Sequence, residues 1–251
     1  MLNIVIPMAG RGQRFKDKSY RLPKPLLPIR DRRMVQVVVD NVCPKSDYKL
    51  IFLCLKEHVE EFQIEQWLRQ TYPGCEVIIV STVTEGALCT VLLAEQLINT
   101  PDPLLIANSD QWVNFNIGDF LHLLTEQPEL SGAILTMTSR DPKCSFIKFG
   151  PSGNIVGVVE KQVVSDEATV GIYLFSSGQE FVADARRMIA AELRVNGEFY
   201  VAPVYNQLLE RGGQIGILNV GKEYEDVWSL GTPNDYEFFL KGLDERKVKG
   251  W

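Results

Sequence analysis

Histidine is scarce in this sequence, which contains only His58 and His122. None of its five cysteines belongs to a C-x-x-C pair. Protein zinc sites are built mainly from closely spaced cysteine and histidine ligands, so both shortages argue against a zinc site. An odd number of cysteines without a regular spacing also favours reduced thiols over a disulfide framework, and hence a cytoplasmic protein.

Long hydrophobic runs are absent as well. No apolar stretch approaches the roughly 18 to 20 residues that a membrane-spanning helix needs. The first apolar run, residues 2–7, is too short for the hydrophobic region of a signal peptide. The formal net charge of −6 argues against the broad basic face that is typical of general nucleic-acid binders. We therefore expect a soluble protein that binds neither membranes nor nucleic acid.

Apolar, β-branched runs alternate with helical patterns through about residue 140. These runs lack the polar alternation of half-exposed strands, which is typical of strands buried on both faces of a mainly parallel sheet. The predicted strands are Asn3–Ile6, Lys49–Leu55, Glu76–Ser81, Leu104–Ala107 and Gly132–Thr138. The predicted helices are Met34–Val42, Val59–Gln70, Gly86–Ile98 and Ile117–Leu124.

The pattern changes after about residue 140, where the predicted strands become shorter and follow turns. They are Phe146–Phe149, Ile155–Glu160 and Ala168–Phe175, followed by helices at 178–193 and 202–211, a strand at 214–218 and a helix at 233–242. No linker or internal repeat divides the chain. We therefore predict one α/β domain over residues 1–251. Its first half, about 1–140, holds a mainly parallel sheet flanked by helices, and its second half, about 141–251, is a small β elaboration.

The segment from residue 11 to residue 33 has the opposite charge from the rest of the chain. It carries nine basic and two acidic residues, whereas the whole chain has a net charge of −6. Gly10 and Gly12 come directly after the first predicted strand, where backbone amides can approach an anion without a Cβ in the way. Open α/β sheets bind ligands in loops at the carboxyl ends of their strands. The segment therefore indicates an anion-binding site.

Two basic side chains of this segment suit a phosphate ligand. Arg14 offers a planar fork for phosphate oxygens, and Lys24 lies between two prolines that restrict its position. The segment is not a dinucleotide-binding motif, because Phe15 replaces the third glycine, and no Gly-Lys-Ser/Thr follows as in a P-loop. The other basic residues between the two are attributed to a solvated surface: Lys16, Lys18 and Arg21.

The segments "MAGRGQRF" (8–15) and "LPKPLLPI" (22–29) together resemble the signature of the sugar-phosphate nucleotidyltransferases. That signature is G-x-G-x-R followed, after a spacer, by P-K-P-L. Further segments resemble motifs of the same family in the same order: "TEGALCTVLLA" (84–94), "LLIANSDQ" (104–111), "VVEKQ" (158–162), "ATVGIYLF" (168–175), "VNGEFYVAPVYNQLLERG" (195–212) and "WSLGTPNDY" (228–236). The resemblance covers nearly the whole chain and implies a Rossmann-like, nucleotide-diphospho-sugar transferase-like fold with an acceptor-binding second half.

The resemblance also implies a reaction: transfer of a nucleoside monophosphate from an NTP to a phosphate monoester, with Mg²⁺ as cofactor and pyrophosphate as second product. A phosphate monoester is mostly dianionic at neutral pH, so it needs no general base to become a nucleophile. The protein has to bring two anions together and offset the charge that develops between them. Its partners would be the NTP and a small phosphorylated acceptor. The resemblance does not fix the oligomeric state, and a homo-oligomer is one alternative.

Site residues follow from the same resemblance. The implied catalytic residues are Arg14, Lys24 and Asp110, with Asp110 as the Mg²⁺ ligand. The implied nucleotide-binding residues are Met8, Ala9, Gly10, Gly12, Arg14, Lys24, Glu85, Gly86 and Ser109. The implied acceptor-binding residues are Gln111, Glu160, Lys161, Gly171, Glu198 and Tyr200. Judged without the resemblance, a structural role also fits some of them, such as helix capping for Asp110, an exposed charged pair for Glu160 and Lys161, and packing for Tyr200.

Two departures from the family pattern concern the metal and the acceptor. Where the family often has an aspartate as second Mg²⁺ ligand, this chain has Ser229. Asp226 is the first candidate to replace it and Glu225 the second, or the site uses one carboxylate with phosphates and water, which Mg²⁺ tolerates. Gln162 also stands where the family usually has proline after Lys161. These differences resemble family members from capsule and surface-polysaccharide gene clusters, whose acceptors include polyol and other non-sugar phosphates.

The base of the nucleotide and the class of function leave alternatives. The short "TEGA" segment and the surface-polysaccharide resemblance favour CTP, UTP or dTTP over purine nucleotides. A glycosyltransferase of related fold would normally have Asp-x-Asp where this chain has Asn108-Ser109-Asp110, and it would not need Arg14 and Lys24. A non-catalytic nucleotide-binding protein is the third alternative, and only Ser229 supports it.

Overall fold

All residues 1–251 are described in this computed structural model. The strands are β1 (Leu2–Met8), β2 (Pro28–Ile29), β3 (Arg32–Arg33), β4 (Tyr48–Leu55), β5 (Glu76–Val80), β6 (Leu104–Ala107), β7 (Gln111–Val113), β8 (Leu130–Thr138), β9 (Ser145–Phe149), β10 (Ile155–Glu160), β11 (Glu167–Phe175), β12 (Gln214–Lys222) and β13 (Val227–Ser229). The helices are α1 (Gln13–Lys16), α2 (Met34–Val42), α3 (Lys56–Phe62), α4 (Ile64–Thr71), α5 (Ala87–Leu92), α6 (Glu95–Ile98), α7 (Ile117–Glu126), α8 (Gly178–Ala190), α9 (Val204–Glu210) and α10 (Pro233–Asp244). None of these helices combines the length and the apolar character that a membrane crossing would require.

Nine of the strands form one sheet. In its first half, β5, β4, β1 and β6 are neighbours in that order and all run parallel. Strand β11 joins this set to the second half by pairing antiparallel with β6, β8 and β9. The β9–β10 hairpin forms one margin, and β12 pairs parallel with β8. The predicted α/β class, with a central sheet flanked by helices, is confirmed. The strand predicted at 132–138 corresponds to β8, which was counted with the parallel set but pairs antiparallel with β11.

The central strand β1 shows why the strand sequences are apolar without alternation. Ile4, Val5 and Ile6 are all fully buried. Ile4 and Ile6 belong to one hydrophobic core, whereas Val5 belongs to a second core on the other face of the sheet. Successive side chains of a strand point to opposite faces, so a sheet covered by helices on both faces needs apolar residues at every position.

Two predicted helices are interrupted in the structure. The pattern over 59–70 corresponds to α3 and α4, which are separated by Gln63 in a left-handed conformation with φ of 52°. The pattern over 86–98 corresponds to α5 and α6, and the chain turns at Ala94 between them. An apolar stripe continues across both breaks, so the periodicity predicts the buried face correctly but does not reveal where the helical hydrogen bonds stop.

Parallel pairing places the ends of β1 and β6 at the same edge of the sheet. Asn3 to Val5 of β1 lie beside Leu104 to Ile106 of β6, running in the same direction. The loop after Met8 and the residues after Ala107 therefore leave the sheet side by side. A third hydrophobic core holds α1, β7, β13 and α10 beside them, through buried side chains that include Phe15, Trp112, Trp228 and Phe239.

Candidate active site

The loop after β1 borders a cavity of about 370 Å³, which we call the glycine-loop cavity. Gly12 has a φ of 61° directly before α1, and a Cβ at this position would lie 3.4 Å from the Cβ of Lys24. The left-handed backbone conformation favours glycine here, whereas the contact with Lys24 is an ordinary van der Waals distance. The residues predicted to bind nucleotide or metal that line this cavity are Met8, Ala9, Gly10, Gly12, Lys24, Gly86, Ser109 and Asp110.

Lys24 is positioned by a short 3₁₀ turn, Lys24–Leu26, that it begins between two prolines. Its ammonium group donates a hydrogen bond to Oδ2 of Asp110, and it lies 3.5 Å from the carbonyl oxygen of Gly231. Only 17% of the Lys24 side chain and 26% of the Asp110 side chain are exposed. The lysine implied to bind phosphate and the aspartate implied to bind metal therefore form one ion pair.

A second cavity, of about 410 Å³, is lined by the β9–β10 hairpin, by β11 and by the residues after β6, and we call it the hairpin cavity. The register of the hairpin sets Glu160 opposite Ser145, whose hydroxyl group donates to the Glu160 carboxylate. Lys161 donates to the hydroxyl group of Tyr200. The predicted site residues in this cavity are Arg14, Asp110, Gln111, Glu160, Lys161, Gly171 and Tyr200.

Asp110 lies at the junction of the two cavities and lines both of them. The chain around it is fixed by hydrogen bonds to two other segments. The amide of Asn108 donates to the carbonyl oxygen of Gly171 at 2.9 Å, and the amide of Leu230 donates to the carbonyl oxygen of Asp110 at 2.8 Å. A carboxylate is thus held in one place where ligands in the two cavities would meet.

The turn that follows β5 brings Gly86 against the backbone of Phe199. The amide of Phe199 donates to the carbonyl oxygen of Glu85 at 2.9 Å, and the amide of Leu88 donates to the carbonyl oxygen of Phe199 at 3.1 Å. This pairing crosses from one cavity to the other, because Glu198 lines the glycine-loop cavity and Tyr200 lines the hairpin cavity. The segment 198–200 therefore belongs to both sites.

The nucleotidyl transferase family matches residues 4–230 of this sequence, which include every element that borders the two cavities except α10. The chain belongs to this family. The sugar-phosphate nucleotidyltransferase resemblance noted in the sequence is thereby confirmed at the level of the family.

Individual relatives show the extent of the similarity. The catalytic subunit beta of mannose-1-phosphate guanylyltransferase from Dictyostelium discoideum is 21% identical over 184 residues, which cover 70% of this chain and 50% of that protein. This chain thus spans about half the length of that relative. Among solved structures, the nucleoside-diphosphate-sugar pyrophosphorylase from Vibrio cholerae RC9 has a TM-score of 0.78 at 23% identity, covering 95% of this chain and 99% of that one. The inositol-1-phosphate CTP transferase from T. maritima has a TM-score of 0.73 at 11% identity, covering 98% and 97%. At these identities the likeness to the two structures shows a shared fold.

Three residues lie elsewhere than the family pattern implied. Glu85 borders neither cavity, since its carboxylate pairs with Arg194 at 2.6 Å and its side chain is 67% exposed. Glu198, which was assigned to the acceptor, lines the glycine-loop cavity. Arg14, which was assigned to the nucleotide, lies on α1 and lines the hairpin cavity.

Asp226, the candidate for the second metal ligand, does not join Asp110 in either cavity. It closes a tight turn, in which its Oδ2 accepts a hydrogen bond from the amide of Lys222 at 3.3 Å, and its Oδ1 lies 3.4 Å from the ammonium group of Lys249. Ser229, which stands at the family's ligand position, does line the hairpin cavity. The structure thus places Asp226 outside both cavities, and its role as a substitute for the missing aspartate stays a prediction.

The donor set at the junction fits a cation only when phosphate is also present. No group of three or more histidine, cysteine, aspartate or glutamate side chains is arranged to hold a metal ion. Asp110 would supply one carboxylate oxygen, and the remaining ligands of a Mg²⁺ ion would have to be phosphate oxygens and water, an arrangement that Mg²⁺ accepts.

Sequence reasoning missed a charged group on the wall of the hairpin cavity. Lys143 lies 2.8 Å from the carboxylate of Glu223 and 3.1 Å from that of Asp141. Burial lowers the pKa of Lys143, but its hydrogen bonds to Glu223 and Asp141 outweigh this effect and raise the pKa overall, so the ammonium group stays charged. Asp141 and Lys143 share the loop between β8 and β9, and only the fold brings Glu223, which follows β12, to them.

The surroundings of the Glu160 carboxyl group raise its pKa. Burial raises the pKa of Glu160 and nearby Glu198 adds to this effect, whereas the hydrogen bond from Ser145 and the charge of Lys161 act in the opposite direction. A carboxyl group whose pKa is raised by folding is costly to ionise in the folded state. Glu160 therefore lowers stability once the pH exceeds the ordinary range of glutamate, and it lowers it fully above its own raised pKa.

We expect Glu160→Gln to increase the free energy of unfolding at pH 7, because the neutral amide avoids the cost of a half-buried charge. The gain should shrink as the pH falls through the raised pKa, and it should vanish near the ordinary glutamate pKa of about 4.3, below which neither state carries the charge. Urea unfolding midpoints of both proteins between pH 4 and pH 8 measure this. A midpoint at pH 7 that is equal to or lower than that of the unmodified protein would show that Glu160 is stabilised by its partners.

Gly86→Ala is expected to lower the free energy of unfolding by about 2 to 4 kcal/mol. A Cβ at Gly86 would lie 2.3 Å from the carbonyl oxygen of Phe199, and the φ of 136° is unfavourable for any other residue. Gly10→Ala is the matched control for stability, because a Cβ at Gly10 would meet no atom within 4 Å. Urea unfolding of the two variants checks the prediction, and equal midpoints would contradict it.

Proposed function

We propose that this chain transfers a nucleoside monophosphate from a nucleoside triphosphate to a phosphate monoester and releases pyrophosphate. The observation that carries the proposal is the junction at Asp110, where two cavities with their own basic side chains share one carboxylate. The reaction needs two anions to meet end to end, and this junction is suited to that meeting. The family of the chain supports the same class of reaction.

The glycine-loop cavity is proposed to hold the triphosphate. Backbone amides of the loop at Gly10 and Gly12 can approach phosphate oxygens closely, and α1 begins directly after Gly12. Lys24 would contact the phosphates with a charge whose position is restricted by its turn. The base would lie near Gly86, where the backbone of Phe199 closes the cavity wall.

In the proposed step, an oxygen of the acceptor phosphate forms a bond to the α-phosphorus of the NTP. The bond from that phosphorus to the bridging oxygen breaks, and the electron pair leaves with pyrophosphate. Lys24 would stabilise the charge that develops on the leaving group, because a fixed ammonium group needs no reorganisation during the reaction. A Mg²⁺ ion held by Asp110 would supply further neutralisation of phosphate charge at the junction.

The hairpin cavity is proposed to hold the acceptor. Lys161 and Arg14 would contact its phosphate, and Glu160 would accept hydrogen bonds from its hydroxyl groups. A cavity with this many hydrogen-bonding side chains suits a sugar 1-phosphate or a polyol phosphate. The resemblance to surface-polysaccharide family members favours a role in precursor synthesis for such polymers, with CTP, UTP or dTTP as the nucleotide.

Pyrophosphate release tests the proposal. The purified chain is incubated with Mg²⁺ and each of CTP, UTP, dTTP, ATP and GTP, against a panel of sugar 1-phosphates, polyol phosphates and phosphocholine. We expect release with one nucleotide and one class of acceptor, and no release without acceptor. A second panel offers NDP-sugars to the same chain. Hydrolysis or sugar transfer in that panel, without pyrophosphate release from any NTP in the first, would instead identify a glycosyltransferase.

A further inference from the structure

The ion pair between Lys24 and Asp110 joins two residues that the proposed function assigns to different ligands. Lys24 is meant for phosphate oxygens and Asp110 for a divalent cation. Their side chains are in direct contact, and both are largely buried at the junction of the cavities. One oxygen of Asp110, Oδ2, is therefore taken up by Lys24, and the ammonium group of Lys24 is held by a carboxylate where the proposed function needs it to meet phosphate.

No other cation lines the glycine-loop cavity that could bind a phosphate in place of Lys24. Within the glycine-loop cavity the only other charged side chain is that of Glu198. A lone cation that approaches Asp110 meets the ammonium group of Lys24 at contact distance, and Coulomb repulsion in a half-buried site is stronger than in water. A lone triphosphate that approaches Lys24 meets the Asp110 carboxylate in the same way.

We propose that Lys24 and Asp110 mask each other, so that a divalent cation and a polyphosphate bind to this site as one unit and neither binds well alone. The inference rests on the proposed function, because it assumes that the glycine-loop cavity is a polyphosphate site. When both ligands arrive together, Asp110 exchanges Lys24 for the cation and Lys24 exchanges Asp110 for a phosphate oxygen. Both charges stay paired throughout, so no half-buried charge is left without a partner.

The coupling must be reciprocal. If the cation increases the affinity for polyphosphate by a given factor, polyphosphate increases the affinity for the cation by the same factor. One contact, between Lys24 and Asp110, causes the coupling. Neutralising either residue should therefore free the other to bind its own ligand. Removal of the Lys24 charge should improve the binding of a cation alone, and removal of the Asp110 charge should improve the binding of a polyphosphate alone.

The first arm of the test measures Mn²⁺ binding without nucleotide, from the electron paramagnetic resonance signal of the free ion. We expect Lys24→Met to bind Mn²⁺ at least tenfold more tightly than the unmodified protein. Lys16→Met is the control, because it removes the same charge from the same loop while Lys16 pairs with Glu57 instead. It should bind Mn²⁺ as the unmodified protein does. If Lys24→Met does not fold, Lys24→Gln answers the same question.

The second arm measures the binding of inorganic pyrophosphate by titration calorimetry in EDTA. We expect Asp110→Asn to bind pyrophosphate at least tenfold more tightly than the unmodified protein. Asp17→Asn is the control, since it removes a carboxylate from the exposed end of α1 that contacts Gln13 and borders neither cavity. With excess Mg²⁺ the order should reverse, and the unmodified protein should bind pyrophosphate more tightly than Asp110→Asn.

Unchanged or weaker affinity in either arm overturns the inference, because the same contact is broken in both variants. Gains equal to those of the control variants overturn it as well, since they would reflect net charge alone. The proposed function is contradicted by a different result. If no protein in the set binds pyrophosphate even with Mg²⁺, the glycine-loop cavity is not a polyphosphate site. Failure of the coupling and failure of the function are thus separate observations.

Discussion

Lys24→Met is expected to lower kcat for pyrophosphate release by about 10² to 10³-fold. The methionine side chain keeps the length and apolar stem of lysine but lacks the charge that would stabilise departing pyrophosphate. The fold should persist, because Pro23, Pro25 and the 3₁₀ turn hold the backbone without the ammonium group. The measurement is the steady-state rate of pyrophosphate release at saturating nucleotide and acceptor, together with the melting temperature.

The matched control for this prediction is Lys16→Met, in the same basic loop. Lys16 pairs with Glu57 on α3 and borders neither cavity. Its loss removes one positive charge from the loop and should change kcat by less than about threefold. Rates of Lys24→Met close to those of this control would show that Lys24 serves structure and not the reaction.

Asp110→Asn is expected to lower kcat by about 10³-fold or more. Asp110 is the single carboxylate that lines both cavities. An amide of nearly equal shape tests the charge without opening a cavity. The rate should not recover when Mg²⁺ is raised well above its saturating concentration, because no other carboxylate lines both cavities.

Asp226→Asn decides between the sequence prediction and the structure. If Asp226 is a second metal ligand, its loss should resemble that of Asp110. The structure places it in the turn with Lys222 and Lys249, so we expect kcat to change by less than about threefold and the metal requirement to stay the same. A loss of the magnitude seen for Asp110→Asn would mean that the turn rearranges when ligands bind.

The order of strands and helices could be predicted because strands that are buried on both faces of the sheet have continuous apolar sequences. The apolar runs of β1, β4 and β6 are uninterrupted, and α2 was predicted over its observed range. The breaks at Gln63 and Ala94 leave no such trace, because the hydrophobic stripe continues through them. Strand pairing is also unmarked: nothing in the sequence indicates that β11 runs antiparallel to its neighbour β6.

For the candidate site, too, some features can be predicted from the local sequence and others cannot. Local chain chemistry is visible in the loop of Gly10 and Gly12, in Lys24 between its prolines and in Asp110 after a buried strand, and the structure brings these together around the glycine-loop cavity. Side-chain direction is not visible. Glu85 was predicted to bind nucleotide because it belongs to a motif that does lie beside the cavity. Its carboxylate instead points outward and pairs with Arg194.

By itself the sequence determined the fold class, through its apolar periodicity, and the family, through motifs that it resembles in order along the chain. Only the tertiary structure decided that Asp110 lies between two cavities, that Lys24 pairs with it, and that Asp226 lies elsewhere. The physical reason is distance along the chain. Lys24 and Asp110 are 86 residues apart, and only the parallel pairing of β1 with β6 makes them neighbours.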